Sequence, residues 1–350
     1  MKRKLFLAFI LLIGVGTRGH SLIDSTLNLL CEQALIEVVS SYEVEFDFAS
    51  AIVMETETGS FLADIGIKRD NGRVETYSDG SNTPLRAGIS RAVLFHCLMD
   101  KLSPEFVVDV DGGIYHDTIA DCTIRDHNYR IGGYGCLRLT DILDRSDVGM
   151  IKAAEIAFNR DMGAYGAALR ETGIYFADEP VNNSGSDQLW SPKDILGYTT
   201  YMSLKAQTCW INGIANGGRL VARENHEDYG LISTIKNQRA TDSLRAAMLE
   251  NVETGLEKRM KVAGTSVAGL SHVPSGGADG SYDLQAYAFF PYDSGHLAKY
   301  TVGVVVKKHG MPAGRLLPTQ IVGQIITRMI SHGYIKRLSD ETAPFHRAEK

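Results

Sequence analysis

Serine hydroxyls paired with a nearby base are the first chemistry to look for in this chain. Ser233 is followed three positions later by Lys236. In a helix these positions share a face, so the amine could accept the hydroxyl proton. No apolar helix follows the pair, which places it in a connecting segment before the helix predicted at Thr241. Ser90 and Ser146 have no base predicted within one helical turn, so the sequence offers hydroxyls without an evident activating partner.

Acidic and histidine side chains concentrate between residues 109 and 127, where a metal site could be sought. The group comprises Asp109, Asp111, His116, Asp117, Asp121, Asp126 and His127. Its spacing matches neither the EF-hand calcium loop nor the HExxH zinc motif. The glycine-rich run at 132–135 lacks the Lys-Ser/Thr pair that follows a phosphate-binding loop. The sequence therefore predicts a solvated loop with no metal site and no cofactor.

Size and charge narrow the class of protein. The 350 residues can form one large domain or two modest ones with ample core. Hydrophobic residues make up 44% and charged residues 22%, values typical of globular proteins. A net charge of −6 without a long basic run argues against nucleic acid as a partner.

The first twenty residues have the pattern of an export segment. Lys2, Arg3 and Lys4 precede an apolar run over residues 5–16. A membrane span needs ~20 residues, so this run has the length of a signal-peptide core, while a short uncleaved anchor stays open. We therefore assign residues 1–20 as a signal peptide or a short membrane anchor and expect export from the cytoplasm.

The five cysteines form an odd set, so at least one thiol is unpaired in a monomer. Cys31, Cys97 and Cys209 lie on apolar helical faces, which predicts buried thiols. Cys122 and Cys136 bracket one loop, and in an oxidising compartment they could form a disulfide or remain free.

One apolar stretch organises the rest of the chain. From Arg86 to Leu98 it is apolar nearly all round, which predicts a buried helix, and Pro84 lies just before its start. The start of such a helix presents free N–H groups and the positive end of the helix dipole, a favourable place for a nucleophile. The first turn nevertheless carries Ala87 and Ser90.

Strands are predicted early and late in the chain, with helices between them. The strands are a hairpin near 51–63 and segments at 259–268, 282–291 and 298–307. The other helices are predicted at 24–38, 139–158, 162–170, 191–214, 241–252 and 316–330. This order predicts an α+β fold, with an antiparallel sheet flanked by helices and a helical subdomain.

The stretch from about Ile23 to Ile330 resembles the transpeptidase domain of penicillin-binding proteins, of the class B cell-division or elongation type. Six segments follow the order of that family: IDSTLNLLCEQAL, AIVMETETGSFLADIG, TIRDHN with GGYG and RSDVGMIKAAE, SPKDILGYTTYMSLKAQTCWINGIANGGRLV, KVAGTSVAG and YAFFPYDSGHLAKYTVGVVVKK. The resemblance implies a fold like that of the serine β-lactamases. It assigns residues 21–335 to a transpeptidase-like domain and leaves 336–350 as a flexible charged tail.

The family's chemistry depends on three motifs, and the resemblance implies that all three are degenerate here. Ser-x-x-Lys supplies the nucleophile and its base, Ser-x-Asn holds the lysine and the substrate, and Lys-Thr-Gly binds the substrate carboxylate. No Ser-x-Asn and no Lys-Thr-Gly occurs in the sequence. The positions carried over are Ala87 and Ser90 in the first motif, Arg145, Ser146 and Asp147 in the second, and Thr265, Ser266 and Val267 in the third.

The charged residues of the second motif leave three interpretations open. Arg145 and Asp147 could pair and close the former groove, form a new ligand site, or be a solvated surface pair. A register shifted to begin at Ser146 places Val148 at the asparagine and restores nothing.

The leading hypothesis is a non-catalytic relative of the transpeptidases on the periplasmic side of a bacterial inner membrane, anchored or secreted. It would act by binding cell-wall synthesis proteins, division proteins or peptidoglycan peptides. The alternative is an active D,D-transpeptidase or carboxypeptidase of peptidoglycan with relocated catalytic residues. A third hypothesis is a drifting paralogue without a retained binding role.

Overall fold

The computed structural model describes residues 23–42, 45–70, 72–174, 189–222, 230–274, 280–292, 297–310 and 316–336. The predicted signal peptide or anchor at 1–20 lies outside these residues, as does the predicted tail beyond Lys336. Within the described ranges no helix is both long and apolar enough to cross a bilayer.

A six-stranded antiparallel sheet forms the middle layer, in the order β12-β13-β14-β1-β2-β3. Its long hairpin pairs Ser281 with His309 at one end and Phe290 with Tyr300 at the other. The α+β fold predicted from the sequence is confirmed. The strands are β1 (Phe48–Glu55), β2 (Phe61–Asp70), β3 (Arg73–Thr76), β12 (Ala268–His272), β13 (Ser281–Phe290) and β14 (Tyr300–His309).

Two helices cover one face of the sheet. They are α1 (Ser25–Ser41) and α9 (Leu316–Ser331), and their apolar stripes join one buried cluster with every second residue of β1. The carboxylate of Asp24 accepts hydrogen bonds from the N–H groups of Thr26 and Leu27, so it caps α1.

Seven described helices lie on the other face and build a second, larger core with the alternate residues of the same strands. They are α2 (Ser90–Leu98), α3 (Leu139–Arg145), α4 (Asp147–Phe158), α5 (Met162–Glu171), α6 (Pro192–Ile195), α7 (Leu204–Ala215) and α8 (Gln238–Glu253). Helix α2 is buried over its whole length and packs between α4 and α8.

Four two-stranded sheets accompany the large sheet in the described part of the chain. Two of them lie within residues 107–138, a stretch that includes the predicted solvated loop. The pairs are β4 (Pro84–Arg86) with β9 (Tyr201–Ser203), β5 (Val107–Asp109) with β8 (Cys136–Arg138), β6 (Ile114–Asp117) with β7 (Cys122–Arg125), and β10 (Arg219–Ala222) with β11 (Gly230–Thr234).

The helix predicted from Arg86 begins only at Ser90. Arg86 belongs to strand β4, where it pairs with Tyr201. Its backbone N–H donates to the Asp283 carboxylate at 3.0 Å, and its guanidinium binds the same oxygen at 3.0 Å. A buried carboxylate thus holds this backbone extended. Ala87 consequently lies in the turn before the helix and not in its first turn.

The segment predicted as one helix over 191–214 is two helices separated by strand β9. The first ends at Ile195, and Gly197 follows in the left-handed region with a φ of +72°. The Ser203 hydroxyl then accepts the N–H of Ala206 and caps α7. Likewise, the helix predicted over 139–158 breaks at Ser146, and the strand predicted at 259–268 forms only from Ala268 to His272.

All five cysteines are free thiols. Cys31 and Cys97 are buried as predicted, whereas Cys209 is half-buried. Cys122 is buried and Cys136 is exposed, so the disulfide left open by the sequence is absent.

Helix α7 crosses strand β14 at Gly303, where a Cβ would overlap the Thr208 hydroxyl. We expect Gly303→Ala to lower the free energy of unfolding by about 1–3 kcal/mol, because the helix must shift. The Gly303→Ala/Thr208→Ala variant should lose less than the sum of the single variants, measured by urea unfolding. Strict additivity would exclude this contact as the cause.

His96 on α2 is buried, and burial lowers its pKa to about 4. Histidine in the unfolded chain titrates near pH ~6.5, so the unfolded state binds the proton first as the pH falls. Stability should therefore be complete above pH ~6.5 and fall by about 3 kcal/mol between there and pH ~4. Urea unfolding across this range should show that the free energy of unfolding depends less on pH in His96→Gln than in the wild type. The exposed His116→Gln is the matched control, and parallel curves for His96→Gln and the wild type would refute the assignment.

Candidate functional site at the convergence of the motif segments

In the first motif segment, the Ser90 hydroxyl is bonded to a backbone carbonyl. Ala87 is fully buried, and its N–H donates to the Thr200 carbonyl at 2.9 Å. Ser90 is the first residue of α2, and its Oγ donates to the Leu196 carbonyl at 2.5 Å. A Cβ at Gly197 would lie 2.6 Å from the Ser90 Cβ, so the two segments are in close contact. The Ser90 proton thus points to a carbonyl rather than to a base.

The second motif segment uses Ser146 as a helix cap. Its Oγ accepts the N–H of Gly149 at 2.8 Å and donates to Asp126 Oδ2 at 2.5 Å. Asp126 Oδ1 also accepts the N–H of Val148 at 3.1 Å. Burial raises the pKa of Asp126, and the bond from Ser146 partly offsets this. Ser146 is fully buried, so these contacts fix the start of α4 and leave the hydroxyl without access to solvent.

Asp147, at the start of α4, contacts side chains from helix α2, strand β12 and the segment around Tyr198. Its Oδ1 lies 2.6 Å from Arg91 Nε on α2 and 3.5 Å from His272 Nε2 on β12. Its Oδ2 accepts the Tyr198 hydroxyl at 2.7 Å. Arg91 and Asp147 are only 6% and 8% exposed, so this is a buried ion pair at the junction of the three motif-bearing elements.

The charges of this pair stabilise each other. Burial acts to raise the pKa of Asp147, but the Arg91 guanidinium and His272 outweigh it and hold that pKa well below its usual value. Burial acts to lower the pKa of Arg91, but Asp147 outweighs it and leaves that pKa raised. Burial and then Asp147 raise the pKa of Tyr198, which stays a hydroxyl donor.

The arginine that pairs with Asp147 is therefore Arg91 and not Arg145. Arg145 ends helix α3, and its Nε is buried without a hydrogen-bond partner in the described part of the chain. Sequence reasoning missed Arg91 because it lies far from Asp147 along the chain. Its position directly after Ser90, within the first motif segment, was the available signal.

The third motif positions lie before strand β12. Thr265 and Val267 are buried, and the Ser266 hydroxyl donates to the Tyr292 carbonyl. The Tyr292 ring in turn lies under the Arg245 guanidinium, 4.9 Å from ring centroid to Cζ. These residues follow the first of two Val-Ala-Gly sequences, at 262–264.

The second Val-Ala-Gly, at 267–269, runs into β12. The residues after it are Leu270, Ser271 and His272, and it is His272 that reaches Asp147. The Ser271 hydroxyl donates to the buried Glu257 at 2.7 Å. The second Val-Ala-Gly is thus the one that leads into the strand contacting Asp147. If the predicted third motif is counted from this second tripeptide, Leu270 stands at the lysine position, so neither register supplies a lysine.

The Ser233 and Lys236 pair does not form the geometry that a nucleophile and its base require. Ser233 is on strand β11, opposite Leu220, so the two residues do not share a helical face. The Lys236 amine lies 3.6 Å from the Glu171 carboxylate.

Asp147 and His272 could in principle form the acid–base half of a hydrolytic triad. The hydroxyls beside them donate elsewhere: Ser90 to a carbonyl, Ser146 to Asp126 and Ser271 to Glu257. These three hydroxyls therefore bond to acceptors other than the His272 imidazole.

The sequence matches no family model, and no curated protein matches it. Solved structures do match. One is the transpeptidase domain of penicillin-binding protein 3 from Burkholderia pseudomallei, with a TM-score of 0.70 and 16% identity, covering 95% of this chain and 100% of that one. Another is a peptidoglycan glycosyltransferase from Burkholderia ambifaria, with a TM-score of 0.70 and 16% identity, covering 91% of this chain and 98% of that one. The predicted likeness to the transpeptidase domain is thus confirmed at the level of the fold.

Asp147→Asn leaves Arg91 as a buried charge without its counter-charge. We expect it to lower the free energy of unfolding at pH 7 by about 3–5 kcal/mol. Asp111→Asn, which removes the exposed pair with Lys152, should cost less than about 1 kcal/mol.

The difference between Asp147→Asn and the wild type should depend on pH. Because the pKa of Asp147 is depressed in the folded protein, its contribution is present above the unfolded pKa of ~3.9 and is lost as the pH falls further. Urea unfolding from pH 7 to pH 3 should show the two stability curves starting to converge below pH ~4. A constant gap would contradict the ion pair.

Proposed function

We propose that this chain, which has the fold of a penicillin-binding protein transpeptidase domain, is a non-catalytic member of that fold that acts by binding in peptidoglycan synthesis or cell division. It works on the periplasmic side of a bacterial inner membrane, anchored or secreted. Its partners are cell-wall synthesis proteins, division proteins or peptidoglycan peptides.

The observation that carries the proposal is the buried pair of Arg91 and Asp147, joined by His272. It lies at the junction of the segments to which the resemblance assigns the catalytic motifs. Removing the members of a catalytic unit typically reduces the rate by ~10⁴ to 10⁶. An open groove would also require water or substrate to separate two charges that now satisfy each other.

The alternative, an active D,D-transpeptidase or carboxypeptidase, requires a hydroxyl activated somewhere else. Its candidates are Ser90, Ser146 and Ser233. The first two donate to oxygen acceptors inside the protein, and the third lies on a strand. These contacts favour the binding role.

The assignment to peptidoglycan and to the periplasmic side rests on two supports. The fold is shared with a penicillin-binding protein domain and a peptidoglycan glycosyltransferase. The basic and apolar pattern of residues 1–20 is that of an export segment.

Covalent labelling tests the absence of catalysis. We expect purified protein incubated with a fluorescent penicillin to show no labelled band on a denaturing gel and no mass increase, while an active penicillin-binding protein in the same assay is labelled. A penicillin-sized mass increase that disappears in Ser90→Ala, Ser146→Ala or Ser233→Ala would establish the alternative and identify its nucleophile.

Binding is tested separately, by co-sedimentation with purified peptidoglycan and by crosslinking in periplasm. The proposal expects at least one of these to yield a saturable, reproducible partner. A deletion without phenotype, together with no partner in either assay, would instead support a drifted paralogue.

A further inference from the structure

A cleft outside the predicted motif positions lies beside helix α9, in the layer that α1 and α9 form against the sheet. It has a volume of about 460 Å³ and runs between the segment 259–263 and one side of α9. None of the motif positions lines it, so conclusions about this cleft do not rest on the proposed function.

Helix α9 presents an unusual stripe to this cleft. Gln320, Gln324, Thr327 and Ser331 recur at helical spacing and all line it. The exposed side of a helix normally carries charges, but this one carries amides and hydroxyls, and Arg328 is the only charged residue of α9. The Gln324 side chain makes no hydrogen bond within the described residues, so both its donor and its acceptor face the cleft unused.

The facing wall supplies positive charge. Arg259 and Lys261 line the cleft, and Lys258 precedes them. Lys261 pairs with Glu253, whereas no side chain in the described ranges pairs with the exposed Arg259. The excess of cations here contrasts with the net charge of −6 of the whole chain.

A glycine allows the two walls of the cleft to lie close together. A Cβ at Gly323 would lie 2.5 Å from the Arg259 carbonyl oxygen, so only glycine allows this backbone to contact α9 so closely. The contact places the Arg259 backbone directly against the helix. The cationic wall and the amide stripe are therefore held facing each other.

We propose that this cleft binds an extended acidic peptide segment of a partner protein. The Gln324 amide can bond the backbone of such a chain through both its donor and its acceptor. The other stripe residues already make at least one hydrogen bond each: the Gln320 oxygen accepts the Tyr42 hydroxyl, and the Thr327 and Ser331 hydroxyls donate to carbonyls of α9, which leaves them as acceptors. Arg259 and Lys261 attract the carboxylates of the chain. From Gln320 to Ser331 the stripe is about 16 Å long, which matches about five extended residues.

Fluorescence anisotropy with labelled hexapeptides tests this proposal on the purified chain. A peptide of alternating glutamate and serine should bind with micromolar affinity and should weaken as salt is added. Peptides of alternating glutamine and serine, or lysine and serine, should bind at least tenfold more weakly.

Variants locate the site. Arg259→Glu should weaken binding of the acidic peptide at least tenfold by charge reversal, and Gln324→Leu should weaken it by removing a hydrogen-bonding amide. Arg219→Glu, which reverses an exposed cation on β10 outside the cleft, is the matched control and should leave the affinity unchanged. Circular dichroism melts verify that each variant is folded.

Any of three results would overturn the proposal: no binding of the acidic peptide, equal binding of the neutral peptide, or wild-type affinity in both Arg259→Glu and Gln324→Leu. Binding to vesicles containing phosphatidylglycerol, without binding to the acidic peptide, would assign the cations to a lipid surface and also reject the proposal.

Discussion

The ion pair between Arg91 and Asp147 is buried at the point where helix α2, helix α4 and strand β12 meet. Two charges are tolerated in such a place only when they are paired and their remaining hydrogen-bonding groups are satisfied. Tyr198 and His272 complete the shell around the Asp147 carboxylate, and the Asp144 carbonyl lies 3.4 Å from Arg91. The pair therefore fixes the relative positions of the segments that carry the motif positions predicted from the sequence.

Polar contacts of the same kind hold the segment before α2 against the sheet. Asp283 binds Arg86, and the Gln285 amide donates to the Arg86 carbonyl at 2.7 Å. A Cβ at Gly88 would lie 2.5 Å from the Gln285 side-chain oxygen, so the backbone of this turn lies directly on β13. The first motif segment is thus held in place from the sheet side as well as from the helical side.

The hydroxyls at the predicted motif positions bond within the protein. Ser146 caps α4, and Ser90 and Ser266 donate to backbone carbonyls. The cationic cleft beside α9 adjoins the core that α1 and α9 form with the sheet, whereas Arg91 lies on α2, in the layer on the opposite face.

Many helices and strands could be predicted from the sequence, because local residue patterns determine local structure. Hydrophobic period and capping residues predicted α1, α5, α8, α9 and the strands of the two hairpins. The residue types at the predicted motif positions could also be read from the sequence, and none of those positions carries a lysine. Errors arose where a distant partner overrides the local pattern. Asp283 holds Arg86 in a strand and delays the start of α2, and pairing with β4 interrupts the helix predicted over 191–214.

The sequence alone determined the residue types available at each motif position, because side-chain chemistry does not depend on folding. Only the tertiary structure decided which of them meet. Arg91 and not Arg145 pairs with Asp147, and the second Val-Ala-Gly rather than the first leads into the strand that reaches it. These outcomes depend on contacts between residues far apart in the chain, where the burial of a charge selects the one partner that the packed elements bring within reach.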